Sequence, residues 1–171
     1  MTADSGGFRY RHRDGMLSAV AAGFFLILVG ALFVTNPDLP NKLINFFNNF
    51  ELQQISNSNV YLPAPKDPET FLLVYRTVEQ FCLIWAVFLV AMLGARFILG
   101  SSARRKADGL GDIVFWFGAA YLVQTYLVQT WLLDVTKWFE FWALIIVLIG
   151  ASMVVRGLSL VAAWQLRRKK N

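Results

Sequence analysis

The chain has 171 residues, 57% of them hydrophobic and 16% charged, with a formal net charge of +5, one histidine and one cysteine. Soluble domains carry about 25% charged residues, so this composition argues against a water-soluble domain. A single cysteine, Cys82, rules out an intramolecular disulfide and dithiol redox chemistry within the chain. A lone histidine, His12, rules out paired-histidine haem ligation.

A tail bearing Arg9, Arg11 and Arg13 leads into Met16–Val34, which has no charged residue. Crossing the hydrocarbon core as a helix takes about 20 residues, and lipid demands that backbone groups be bonded within the segment, so a span over 16–35 is predicted. A cleaved signal has an apolar core of about 7–15 residues followed by a small-x-small pair. This run is longer and ends in FVTNP, so it reads as an anchor.

The first loop, 36–69, is the only sizeable extramembrane segment predicted. Its first half, LPNKLINFFNNFELQQI, sets Leu39, Leu43, Phe46, Phe47, Phe50 and Gln54 at three- and four-residue spacing. That periodicity predicts a short amphipathic helix at the membrane surface or across the bundle top, with Pro40 in its first turn and Asn36 or Asp38 as cap. The second half, SNSNVYLPAPKDPETF, holds three prolines and predicts a turn-rich return without a sequon or metal-ligand grouping.

A second span is predicted over 71–100. Its uncharged centre, Gln80–Ala95, is flanked by Arg76 and Glu79 on one side and Arg96 on the other. Arg76 and Glu79 stand three apart, a spacing that lets them pair. A loop over 101–109 carries Arg104, Arg105 and Lys106, and a third span follows over 110–133. Asp108 and Asp112 are four apart at its start, where a helix N-terminus favours carboxylates. Asp112 is expected to pair with Arg156 or Arg96, so Arg96, Asp108, Asp112 and Arg156 form a candidate inner salt-bridge network.

Residues 121–130 read YLVQTYLVQT, one pentapeptide twice. In an α-helix five steps advance the chain by about 500°, leaving the copies roughly 140° apart. The polar groups then spread around the helix, only Val123 and Leu127 are left for lipid, and a helix enclosed by other protein is expected. Depth puts Gln124, Gln129 and Thr130 in the outer half with Arg76, Glu79 and Glu140, a candidate outer polar cluster.

The fourth span, 138–164, is interrupted by Arg156 and followed by Arg167, Arg168, Lys169 and Lys170. Trp131, Trp138 and Trp142 at one end and Trp164 at the other match two interfacial belts. Ala19, Gly23, Gly111, Ala119, Gly150, Ala151 and Ser152 supply small residues for close helix approach.

Arg9, Arg11, Arg13, the Arg104–Lys106 run and the final basic run all fall on one side of this arrangement, against Lys42, Lys66 and Lys137 on the other. The bias predicts cytoplasmic termini. It also explains the basic charge without nucleic acid, and it makes anionic lipid a candidate partner at the cytoplasmic side.

The fold class expected is therefore all-α: a single polytopic membrane domain, 1–171, of four transmembrane helices in a compact bundle with a short helix in the first outer loop. Small multidrug-type exporters want a membrane carboxylate, and the first span has none. With no nucleophile triad, metal cluster or cofactor loop in the sequence, no cofactor is expected. The expected function is a non-catalytic membrane subunit or assembly factor, partnered by other integral membrane subunits or by copies of itself. The alternatives are a small channel or transporter with an outer polar cavity, and a membrane enzyme acting on an apolar or lipid substrate.

Overall fold

The computed structural model describes residues 5–55, 59–129 and 135–168. Five α-helices and one hairpin, with a 3-10 turn over Pro68–Phe71 and a π-helical turn over Val123–Val128, make up this part of the chain: α1 (Ser5–Thr35), α2 (Leu39–Asn48), β1 (Phe50–Gln54), β2 (Tyr61–Pro65), α3 (Leu72–Ile98), α4 (Ala103–Leu122) and α5 (Val135–Arg168). Four segments are long and apolar enough to cross a membrane: Gly15–Thr35, Pro68–Ile98, Ala103–Val128 and Thr136–Gln165. The chain is thus a multi-pass membrane protein. The end carrying α2 and the hairpin is here the hairpin end, and the opposite end is the terminal end.

α4 is the central element, packed on both α3 and α5, while α1 lies against α3. The third span is accordingly the most buried of the four, and the first and fourth have few buried residues. Aromatic rings make the α1–α3 contact: Phe24 stacks on Phe88 with centroids 4.0 Å apart, and Phe25 meets Trp85 edge-on at 5.6 Å. Such pairs contribute about 0.5–1.5 kcal/mol each beyond area burial, which is how a helix with few contacts is held in place.

α1 ends where Thr35 and Asn36 turn their side chains back onto the Ala31 and Leu32 carbonyls. α2 begins almost at once, and its first turn is closed by backbone: the Leu39 N–H donates to the Asn36 carbonyl at 2.9 Å and the Lys42 N–H to that of Asp38 at 3.0 Å. Pro40 has no N–H to satisfy, so neither Asn36 nor Asp38 is needed as a side-chain cap. Leu39 is buried, and Phe46 is the hub of the docked face, touching the rings of Phe71, Tyr75 and Trp138 at 5.3–6.3 Å.

The helix stops at Asn48, so Phe50 and Gln54 do not continue its face as the spacing predicts. Phe50–Gln54 instead pairs antiparallel with Tyr61–Pro65. Asn49 fixes that change: its side chain accepts from the Asp67 N–H and donates to the Asp67 carboxylate, while its carbonyl takes the Lys66 N–H. Pro63 and Pro65 are tolerated because a two-stranded hairpin consists only of edges. The expected turn-rich return therefore contains a strand.

α3 ends in a six-to-one closure in which the Ser101 N–H donates to the Arg96 carbonyl and the Gly100 N–H to that of Phe97. Gly100 adopts φ +69, the left-handed conformation that this closure requires and that glycine takes without a Cβ penalty. The turn is so tight that α4 begins at Ala103, and Arg104–Lys106 stand in its first turn where the sequence suggests a loop over 101–109. Ala, Arg and Lys are strong helix formers, which accounts for the difference.

Candidate functional site

Charged and amide side chains within apolar helices are costly unless bonded, and they are the first place to look for function. The described spans hold two such stations, one toward each end.

The terminal-end station is built on the DGLGD run, 108–112. Arg156 of α5 donates from Nη2 to Asp112 Oδ1 at 2.5 Å, with both side chains about 40% exposed. The glycines explain how a guanidinium crosses from α5 to a carboxylate on α4. A Cβ at Gly111 would overlap the Arg156 stem at Cγ and Nε, so the missing side chain is the slot in which the arginine lies. Gly109 plays a lesser version of this role for Arg96, whose Nη1 would sit 3.2 Å from a Cβ there. Arg96 does not take Asp112 as its partner; it donates to the Arg105 carbonyl at 3.1 Å and so ties α3 to the first turn of α4. Asp108 adds charge beside Asp112 without a bond of its own among the described residues. Arg156 Nε is buried without a partner among the described residues, a cost the arrangement carries.

The hairpin-end station rests on a local change of helix type. Val123–Val128 forms a π-helical turn, marked by the Gln129 N–H donating to the Gln124 carbonyl at 2.9 Å, five residues back. In that geometry residues five apart come together, and five is the period of the repeated pentapeptide. The phase expected from α-helical geometry fails here: Gln124 and Gln129 are neighbours, not 140° apart. With its amide in the orientation that satisfies its surroundings, Gln124 donates to both Glu79 oxygens at 2.7 and 2.8 Å and accepts from Gln129 Nε2 at 3.2 Å. Val123 and Leu127, expected toward lipid, are 2% and 4% exposed and lie in the core with Tyr75 and Phe141.

The other candidates of that cluster are distributed differently. Glu79 and Arg76 form no ion pair: Glu79 turns toward the π turn and Arg76 is exposed on α3, without a partner among the described residues. Glu140 pairs with Lys137 at 2.7 Å along α5, and the same ammonium sits 5.8 Å from the Tyr126 ring centre. Thr130 lies outside the described residues. One polar atom that the sequence reading passed over is the Tyr75 hydroxyl, buried one turn from Glu79 without a partner among the described residues.

Small residues also divide. Ala119 is buried in the α3–α4 contact with Cys82, and Gly118 makes room for Leu148, whereas Gly23 and Gly150 face open space. A cleft of about 190 Å³ lies between α1, α2 and α3, lined by side chains such as Leu32, Leu43, Val74 and Phe81. Its surface is apolar: the hydroxyl of Thr77, the one polar residue along it, donates to the Leu73 carbonyl. No group of His, Cys, Asp and Glu able to hold a metal ion occurs among the described residues. Comparison with family models, curated proteins and solved structures gave no match.

Proposed function

We propose that the chain is a non-catalytic integral membrane subunit or assembly factor of a larger membrane complex, with both termini in the cytoplasm and the α2–hairpin cap outside. One observation carries this reading: a polar pair at each station is engaged in a helix-to-helix bond, Asp112 with Arg156 and Glu79 with Gln124. Side chains so occupied stiffen a scaffold and leave little free to bind a solute. The openness of the first span supports it too, since a helix touching mainly α3 leaves wide apolar surface for a membrane neighbour. The exposed Arg104 and Arg105 suit anionic headgroups at the cytoplasmic face.

A second reading, a small channel or transporter, draws on the amide chain that runs from exposed Gln129 through Gln124 of the π turn to Glu79 of α3. Purification from native membranes in mild detergent separates the two. Reproducible stoichiometric membrane partners are expected. Recovery of the chain without them, together with ion or solute flux by the pure protein in liposomes, would overturn the subunit reading.

A further inference from the structure

α1 and α3 meet through aromatic rings, Phe24 stacked on Phe88 and Phe25 edge-on to Phe81 at 5.8 Å. From that contact toward the hairpin end the two helices leave the cleft of about 190 Å³ between them. Phe81 forms its floor, and Leu39 and Leu43 of α2 line its hairpin end. Phe33 and Val78 also line it and are 40% and 43% exposed, so the cleft opens sideways. Its α1 and α3 walls belong to the first two spans, which puts that opening in the acyl layer of the bilayer. The lining offers no polar surface, since the Thr77 hydroxyl is turned onto the Leu73 carbonyl. Apolar cavities of about 150 Å³ stay dry and take apolar ligands. One turn of a partner's helix, about 10 Å across and about 5.4 Å long, fills about 400 Å³ and is too large to enter.

We propose that the cleft holds one acyl chain of a phospholipid from the leaflet at the hairpin end, with the lipid phosphate beside Lys42. The proposal goes beyond the subunit reading and does not depend on it, because one copy of the chain builds the whole site. Charge complementarity selects a phospholipid over a neutral apolar molecule. Lys42 lies on the α2 turn between Leu39 and Leu43 and has no ion pair among the described residues. It follows closely on the end of the first span, which sets it at the level of the headgroups. A lysine stem covers apolar surface while its ammonium stays among polar groups, and with a phosphate it forms charge-assisted bonds. A chain seated below it extends the α1–α3 contact past Phe25 and Phe81 toward the hairpin end.

Native mass spectrometry of the full chain, extracted in mild detergent from vesicles of phosphatidylcholine and phosphatidylglycerol in equal parts, tests it. One phospholipid is expected to stay on the wild-type chain. Val78→Trp, which fills the opening, should lower the retained fraction about fivefold, and Lys42→Ala about twofold. Gly150→Trp, at open space on α5, should retain as much as wild type. Should Val78→Trp fail to fold, Leu43→Phe fills the cleft from the α2 side and carries the same expectation. A wild-type chain free of lipid, or equal retention by Val78→Trp and Gly150→Trp, would overturn the site. Full retention in Lys42→Ala would overturn the headgroup placement that singles out a phospholipid. An isoprenoid or sterol on the chain purified from native membranes, with no phospholipid retained, would overturn the occupant. Stoichiometric membrane partners without retained lipid would sink this site and leave the subunit reading standing.

Discussion

At the terminal end a guanidinium reaches across a glycine to a carboxylate; at the hairpin end two glutamine amides, brought together by a π turn, reach a carboxylate of the neighbouring helix. Both devices hold polar groups within apolar helices, by different means. The first needs an empty space, since Arg156 can lie along α4 only where Gly111 has no side chain. The second needs an altered backbone, since Gln124 and Gln129 meet only when the chain bonds five residues back. An ion pair is strong but depends on both partners, and losing one strands a charge. A neutral amide chain is weaker per bond, yet each link polarises the next toward Glu79. The comparison teaches that residue type alone does not locate a membrane polar station; the local backbone decides which side chains can meet.

Filling the slot should break the terminal-end device most severely. Gly111→Leu is expected to cost about 3 kcal/mol of unfolding free energy in detergent, from overpacking and the displaced arginine together. Gly150→Leu is the matched control: open space surrounds that position, so a change within about 0.5 kcal/mol is expected. If the two substitutions cost the same, the slot is not what holds Arg156.

The amide chain comes next. Gln124→Leu removes the donor to Glu79 and should cost about 1–2 kcal/mol by the same unfolding measurement, with Gln129→Ala costing less because Gln129 is exposed. A larger loss for Gln129→Ala than for Gln124→Leu would reverse the order of the chain.

The smallest effect is expected at the half-exposed ion pair within α5. Lys137 and Glu140 are three apart on α5 and roughly two-fifths exposed, so Lys137→Ala should change stability by about 0.5 kcal/mol or less. A loss matching that of the inter-helix stations would show that this end depends on the α5 pair.

How much of this could be read in the sequence varies with the physics involved. The spans are legible because hydropathy over about twenty residues is a long-range sum that local detail cannot disguise. The hairpin is not: Phe50, Leu52 and Gln54 have a spacing that suits either structure, and the Asn49–Asp67 bonds that end α2 join residues eighteen apart. Asp112 has two arginines at similar depth, and only the glycine slots distinguish Arg156 from Arg96. The five-residue period of YLVQT is the signal that could have revealed the π turn. Read with α-helical geometry it points away from it and sends Val123 and Leu127 to the wrong side.

The most direct test of the account is a double-mutant cycle on Asp112→Asn and Arg156→Gln, followed by equilibrium unfolding in detergent. If the two residues bind α4 to α5, each single change costs stability and the double change costs less than their sum, with a coupling of about 1–2 kcal/mol for a half-exposed pair. Strictly additive losses, or an unchanged midpoint for Asp112→Asn, would contradict it.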